Sequence, residues 1–211
     1  MTSATWVLLA LAAGAAGADW VAVQWKRKPL EYAAKPATLA ALTAAAVALS
    51  PHDPVRRWWF VAALALSLLG DVFLMLEQDL FVAGLASFLL GHLCFIVGLL
   101  HRGGSLGRDG LALVAVLALG AFPAQRILGS VLSADKALAG PVAVYMTVIS
   151  VMVALAVAGG NAVAGMAAAL FFVSDTSLAW NRFVKEFKAG PMTVIVTYHL
   201  AQALFVVSLL R

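Results

Sequence analysis

The stretch FFVSDTSLAWNR, residues 171–182, combines strongly apolar sequence with a series of polar side chains. An ionised Asp near a bilayer centre costs about 2.5–3.5 kcal/mol on insertion scales, so a segment that only had to span would carry Leu instead of Asp175. In a helix, Asp175 and Arg182 fall nearly in line, and Ser174 and Asn181 form a second line roughly 100° away. This polar flank is expected to face protein, water or a headgroup, and not lipid.

The composition of the whole chain is typical of a polytopic membrane protein. Of 211 residues, 64% are hydrophobic and 11% are charged, against about 25% charged in a typical soluble domain. The net charge of +4 comes from basic residues between apolar segments, which is typical of anchoring at the membrane surface and argues against a nucleic-acid partner. Cys94, the only cysteine, lies in an apolar run, so it is expected to be a small hydrophobic side chain.

Windows of about 20 apolar residues predict an all-α membrane bundle with eight transmembrane helices, forming one domain over residues 1–211. Pro123 is expected to kink the fifth span or end it early. The first span is expected to be retained, because the N-terminus lacks the basic region of a signal peptide. Asp19 lies near the end of this span and is expected at the membrane interface. The predicted spans are 4–23, 35–50, 58–76, 80–100, 110–128, 139–158, 161–181 and 191–210.

The basic residues divide unequally between the two sides of the predicted bundle. One side holds nine Lys and Arg residues and the other holds five. The positive-inside rule therefore predicts that the nine-charge side faces the cytoplasm and that both termini lie outside. The nine are Lys26, Arg27, Lys28, Lys35, Arg126, Lys136, Arg182, Lys185 and Lys188, and the five are Arg56, Arg57, Arg102, Arg108 and Arg211.

Several polar side chains fall at one depth of the predicted bundle. Asp71 and Asp175 each lie about four residues past the middle of a span, and the two spans run in the same direction, so both carboxylates are placed about 6 Å to the nine-charge side of the midplane. These positions predict a single cavity open toward the cytoplasmic headgroups. The other candidate residues lie in the same leaflet or near the midplane: Lys35, His92, Tyr145, Ser174, Asn181, Arg182, Tyr198 and His199.

Each polar residue also has a purely structural interpretation. Tyr145 and the histidines can join helices through interhelical hydrogen bonds, while Lys35 and Arg182 can be snorkelling anchors. Asp175 can pair with Arg182 along its own helix, although two turns is a long spacing for direct contact. Asp71 and Asp175 have the strongest functional interpretation, because burying a carboxylate is costly.

Six segments in order resemble the YhhN-like lysoplasmalogenase family, from residue 35 to the C-terminus. The most specific pieces are GD in the third span and SD-x5-NR in the seventh. The segments are KPATLAAL (35–42), LSLLGDVFLML (66–76), FVAGLASFLLGHLCFI (81–96), PVAVYMTVISVMVALAV (141–157), AALFFVSDTSLAWNRF (168–183) and TYHLAQALFV (197–206).

The resemblance implies a polytopic hydrolase of the bacterial plasma (inner) membrane. It implies cleavage of the vinyl ether of lysoplasmalogens to a fatty aldehyde and glycerophosphoethanolamine or glycerophosphocholine, with no required metal or other cofactor. The expected partners are the lysophospholipid substrate and membrane lipids.

The expected chemistry is acid-catalysed, because a vinyl ether resists base but yields to protonation of its distal carbon. Asp71 and Asp175 can divide the roles of acid and carboxylate, as paired carboxyls do in glycosidases, and the residues leave open which one is the acid. Lys35 and Arg182 suit the substrate phosphate. Three further candidates could orient the attacking water or the glycerol part of the substrate: His92, Tyr145 and Asn181.

Two other classes of function remain open from the residues. A metal-dependent lipid hydrolase could use His92, His199, Asp71 and Asp175 as ligands, but no His-x3-His pair occurs. A proton-coupled carrier could also use two buried Asp residues, and it predicts repeated halves with broken helices that the sequence does not show. Metal analysis tests the first class, and uptake into liposomes tests the second.

Overall fold

Eight α-helices make up the structure, a computed structural model that describes residues 3–76, 78–101 and 106–210. Every regular element within these ranges is helical, which confirms the predicted all-α bundle. The helices are α1 (Ser3–Gln24), α2 (Lys28–Ala48), α3 (Pro54–Met75), α4 (Phe81–Leu100), α5 (Leu106–Ala134), α6 (Lys136–Ala158), α7 (Ala162–Phe183) and α8 (Gly190–Ser208).

Short polar side chains fix where several helices begin. Asp53 precedes α3 and accepts hydrogen bonds from the backbone N–H groups of Val55 and Arg56 at 2.9 and 3.0 Å. Asp135 and Asn161 cap α6 and α7 in the same way. Because these caps satisfy N–H groups that have no partner within the helix, each new helix starts where the sequence between two apolar segments turns polar.

Seven of the eight helices, all but α2, are long and apolar enough to cross a membrane, by length and composition. The chain is therefore a multi-pass integral membrane protein. α2 begins at Lys28, before the predicted start at residue 35, because Pro29 fits the first turn of a helix. Lys28, Glu31 and Lys35 thus fall inside α2 and lower its hydropathy.

Of the two effects predicted for Pro123, the early end of the fifth span is wrong, and the kink stays a prediction. The helix continues through residue 134. A proline removes one backbone hydrogen bond, but neighbouring groups in a membrane bundle can satisfy the freed carbonyl. The longer helix brings Ile127 and Val131 into a small buried cluster with Val142 of α6.

Aromatic rings fill the core where α3, α4 and α8 meet. Phe60 contacts Phe95 and Phe205 edge-on, with centroids 5.0 and 5.6 Å apart, and Phe95 stacks on Phe205 at 4.1 Å. A Cβ at Gly98 would lie 2.7 Å from the Phe60 ring, so glycine is what allows α3 and α4 to approach here.

The two ends of the bundle are held by different polar contacts. At the Arg182 end, Arg182 of α7 pairs with Asp79 in the turn between α3 and α4. At the Ser208 end, Arg56 of α3 and Asn161 before α7 both donate to the backbone carbonyl of Ser208, at 3.4 and 3.1 Å. The α3 and α7 helices therefore run in the same direction, as the order of the spans predicted.

The predicted charge count needs one correction. Arg56, which was counted as an exposed loop charge, is buried and packs over the ring of Phe60 at 4.9 Å. Arg102 and Arg211 lie outside the residues that the structure describes. The orientation of the bundle in the membrane therefore stays a prediction.

Candidate active site

Asp71 is buried on α3 and contacts one cation and one phenol. Its side chain is 1% exposed, and its Oδ1 lies 3.0 Å from Nζ of Lys35 on α2. Its Oδ2 accepts a hydrogen bond from the hydroxyl of Tyr198 on α8 at 2.7 Å. A buried carboxylate is costly unless it is paired and hydrogen-bonded. Lys35 supplies the paired charge and Tyr198 the hydrogen bond. The Lys35 ammonium thus contacts Asp71, whereas the sequence suggested that it binds the substrate phosphate.

Asp175 on α7 has a different environment. Its Oδ2 accepts a hydrogen bond from the hydroxyl of Tyr145 on α6 at 2.5 Å, and Nε2 of His92 on α4 lies 3.7 Å from the same oxygen. The His92 ring packs edge-on against Tyr145 and Phe171, with centroids 5.2 and 4.7 Å apart. In the described part of the chain, no Lys or Arg pairs with Asp175.

Three aromatic rings join the two halves of the site. Phe88 contacts Tyr198 and Phe171 with centroids 5.9 and 6.5 Å apart, and Phe171 contacts Tyr198 at 5.5 Å, all edge-on. Gly70 makes room for them, since a Cβ there would lie 2.7 Å from the Phe88 ring. Because Phe171 also contacts His92 at 4.7 Å, these rings connect the group around Asp71 to the group around Asp175.

An apolar pocket lies beside Asp175. Its polar lining consists of Tyr145, Asp175 and Thr176, and the other lining residues are aliphatic or aromatic. Ligand pockets are lined mostly by apolar and aromatic side chains with a few polar groups, so this lining suits a hydrocarbon chain. Neither Asp71 nor His92 is part of the lining.

Arg182 pairs with Asp79 and not with Asp175 of its own helix. Its Nη2 lies 3.0 and 2.9 Å from the two carboxylate oxygens of Asp79. Its guanidinium carbon lies 4.1 Å from the centroid of the Phe81 ring. The side chains of Arg182 and Asp79 are 38% and 69% exposed, so the pair lies at the surface of the Arg182 end.

Ser174 and Asn181 hold the α7–α8 hairpin together. The Ser174 hydroxyl donates to the carbonyl of Val194 at 3.0 Å. The Asn181 side chain accepts from the backbone N–H of Phe187 at 3.2 Å and packs so closely on Gly190 that a Cβ there would clash with it. Neither residue lines the apolar pocket, and their predicted contact with substrate stays a prediction.

His199 belongs to a second buried polar group, formed with α1. Nε1 of Trp20 donates to Nδ1 of His199 at 3.1 Å, and Nε2 of His199 lies 3.8 Å from Oδ2 of Asp19. Because Nδ1 accepts, the neutral ring carries its proton on Nε2, facing Asp19. Asp19 is 0% exposed, so its predicted interfacial position is wrong: α1 turns this carboxylate toward α8.

The sequence interpretation missed Asp19, Trp20 and Asp79. Asp19 had a usable signal, because it lies inside the predicted first span and any carboxylate there is costly. Asp79 had none, because it lies in a turn whose partner comes from a distant helix. No three His, Cys, Asp or Glu side chains form a ligand group in the part of the chain that the structure describes.

Sequence comparison assigns the chain to a family, because the profile of the YhhN family matches residues 30–209. The chain belongs to the YhhN family. The human protein named lysoplasmalogenase TMEM86B is 34% identical over 149 residues, which cover 71% of this chain and 62% of that protein. A Mycobacterium bovis protein named lysoplasmalogenase is 33% identical over 174 residues, which cover 80% of this chain and 66% of that protein. The chain thus spans less than two thirds of either relative. No solved structure matches it.

The YhhN match contains both carboxylates and their direct contacts. It begins within α2, so α1 with Asp19 and Trp20 lies before it. The site residues inside the match are Lys35, Asp71, His92, Tyr145, Asp175 and Tyr198.

Proposed function

We propose that this YhhN protein hydrolyses the vinyl ether bond of lysoplasmalogens, releasing a fatty aldehyde and glycerophosphoethanolamine or glycerophosphocholine. The relatives named lysoplasmalogenase support this substrate class. The apolar pocket beside the Asp175 carboxyl supports chemistry on a single-chain lipid. The protein draws its substrate from the surrounding bilayer and needs no cofactor.

The observation that carries the proposal is the unequal environment of the two carboxyls. Asp71 pairs with the Lys35 ammonium at 3.0 Å, so we assign it the role of the ionised carboxylate. Asp175 lines the apolar pocket and accepts a hydrogen bond from a neutral phenol, so we assign it the role of the acid. Glycosidases divide two carboxyls in the same way to form a related oxocarbenium ion.

The first step is proton transfer from Asp175 to the alkene carbon distal to the ether oxygen. The π electrons form the new C–H bond, and the carbon attached to oxygen becomes an oxocarbenium centre. The negative charge of Asp71 stabilises this cation, and it acts strongly because the site is buried.

The second step is addition of water to the oxocarbenium carbon, with Asp71 taking the proton to leave a neutral hemiacetal. The hemiacetal then collapses: its hydroxyl returns a proton to Asp175, the bond to the glycerol oxygen breaks, and Asp71 protonates that oxygen. Both carboxyls regain their starting states, and the aldehyde and the glycerophospho-product separate.

The test is aldehyde release by purified protein from a lysoplasmalogen, with a 1-acyl lysolipid as control. We expect aldehyde only from the vinyl ether substrate. Asp71→Asn and Asp175→Asn should each lower the rate by at least about 100-fold, the lower range for loss of a positioned acid or base. Asp109→Asn, in the first turn of α5, is the matched control and should keep the wild-type rate. Near wild-type turnover in either site variant contradicts the role assigned to that residue.

Two further arms of the assay separate the other classes of function. Chelator treatment should leave aldehyde release intact, whereas loss on chelation with recovery on adding zinc would indicate a metal-dependent hydrolase. Protein in liposomes should show no proton-coupled uptake of the lysolipid, which a carrier would show.

A further inference from the structure

The Asp79–Arg182 ion pair lies at the edge of the apolar pocket. The guanidinium carbon of Arg182 lies 4.1 Å from the centroid of Phe81 and 5.9 Å from that of Phe183. Both rings line the pocket and contact each other edge-on at 5.5 Å. A lipid whose tail fills the pocket therefore meets this pair where the pocket reaches the Arg182 end.

The pair is suited to exchange its partners. Both side chains are solvent-accessible, and exposed ion pairs contribute little net stability because water solvates both charges when they separate. Asp79 has a φ of 43° in the turn between α3 and α4, a conformation that Asp and Asn adopt more readily than most residues. Asp79 therefore suits the turn through its backbone conformation, whether or not Arg182 remains paired with it.

We propose that Asp79, Arg182 and Phe81 form a subsite for a zwitterionic headgroup, an inference that rests on the proposed function. Arg182 leaves Asp79 to bind the phosphate, for which its planar fork of N–H donors is well shaped. Asp79 and the vacated face of Phe81 bind the ammonium group of the headgroup through ion pairing and a cation–π contact. Each member of the old pair thus gains a new partner of opposite charge.

The length of the substrate agrees with this placement. Arg182 lies two helical turns beyond Asp175, about 10 Å along the axis of α7. Seven covalent bonds join the phosphorus of a lysoplasmalogen to the vinyl carbon that receives the proton. A substrate with its phosphate at Arg182 therefore reaches the acid with its vinyl ether, and its tail continues into the pocket.

The subsite also predicts which headgroups are rejected. A lysolipid that carries a phosphate without an amine can pair with Arg182, but it leaves Asp79 unpaired beside a like charge. Specificity of this kind comes from repulsion as well as attraction. Asp79 is therefore the residue that selects a zwitterionic headgroup over an anionic one.

Binding of lipids that cannot be hydrolysed tests the subsite apart from catalysis. The probes are 1-O-alkyl-glycerophosphoethanolamine and 1-O-alkyl-glycerol 3-phosphate, whose saturated ethers lack the vinyl group. We expect wild-type protein to bind the first about tenfold more tightly. Asp79→Asn, which keeps the turn, should bring the ratio of the two affinities close to one. Arg182→Gln should weaken the binding of both lipids. Glu186→Gln removes a negative charge from the exposed α7–α8 link at the same end and should keep the wild-type ratio.

Three results would overturn the subsite: equal affinities in the wild type, an unchanged ratio in Asp79→Asn, or the same loss of preference in Glu186→Gln. Aldehyde release from a vinyl ether substrate is measured in parallel. Aldehyde release with an unchanged binding ratio contradicts the subsite alone. A binding ratio that depends on Asp79, without aldehyde release, supports the subsite and contradicts the proposed hydrolysis.

Discussion

The hydroxyl groups of Tyr145 and Tyr198 each serve one carboxylate of the site. Tyr198 donates to Asp71, which also has the Lys35 ammonium, whereas Asp175 accepts a side-chain hydrogen bond only from Tyr145 in the described part of the chain. Loss of a tyrosine hydroxyl therefore has different consequences for Asp71 and for Asp175. Asp71 keeps a charged partner, but Asp175 loses the contact that orients it beside the pocket.

Tyr145→Phe should lower kcat about tenfold with little change in KM, because the hydrogen bond strengthens as Asp175 gives up its proton, and one to a charged group contributes about 1.5 kcal/mol or more. Tyr198→Phe, the matched control, should have the smaller effect, since Lys35 still holds Asp71. Steady-state kinetics on a vinyl ether substrate measures both. A Tyr145→Phe variant that changes only KM would show that the tyrosine serves substrate binding.

The sequence predicted a depth for these residues but not their partners. Counting residues along the spans placed Asp71 and Asp175 in one leaflet, because depth depends only on helical rise. The pairings of Tyr198 with Asp71 and of Arg182 with Asp79 depend on how each helix is rotated against its neighbours. Hydropathy contains no such information in a bundle this apolar. Asp19 was misplaced for the same reason, since only the packing of α1 on α8 shows that it is buried.

At the scale of helices, α3 and α4 approach each other closely through small residues. The Ser87 hydroxyl donates to the carbonyl of Leu66 at 2.7 Å, and a Cβ at Gly91 would lie 3.2 Å from the carbonyl of Ala63. Such contacts replace the hydrophobic effect, which does not drive helices together within lipid. They also position the site, because the residue after Gly70 in this hairpin is Asp71.

Gly70→Ala should destabilise the protein by about 1–3 kcal/mol, the usual cost of overpacking. Its Cβ would lie 2.7 Å from two atoms of the Phe88 ring, and Phe171 and Tyr198 restrict the movement of that ring. Gly14→Ala is the control, because nothing lies within 4 Å of a Cβ there. Thermal unfolding in detergent should show a lower Tm for the first variant only. Equal Tm values would mean that Phe88 can move aside.

The helices were predictable as elements, but two of their boundaries were not. Apolar runs show where a helix crosses the membrane, whereas α2 extends beyond its apolar part to Lys28, where Pro29 favours a helix start. α5 continues past Pro123 because the surrounding bundle tolerates a proline that would break an isolated helix. Local propensity alone therefore gave limits that were too narrow at both positions.

On the scale of the whole molecule, charge is concentrated at the Arg182 end. Lys26, Lys185 and Lys188 are exposed there, while Arg56 at the Ser208 end is buried. Because basic segments are retained in the cytoplasm during insertion, we propose that the Arg182 end faces the cytoplasm. The polar product then leaves into the cytoplasm, while the aldehyde enters the lipid.

Cysteine labelling in intact cells tests this orientation. In a Cys94→Ala background, a Lys185→Cys variant should resist a membrane-impermeant thiol reagent until the cells are opened. A His52→Cys variant, in the exposed link between α2 and α3, should react before the cells are opened. The reverse pattern would invert the orientation and leave the clustering of the site in one leaflet unchanged.

The position of the two carboxylates along the chain also affects how a cell makes this protein. Asp71 can meet Lys35 as soon as the ribosome has released α2 and α3, which neutralises a costly charge early in insertion. Asp175 and Tyr198 are synthesised much later, on α7 and α8. A nascent chain therefore holds a harmless ion pair in the bilayer and no pair of reactive carboxyls. The membrane therefore holds both carboxyls of the site only after α7 has been synthesised.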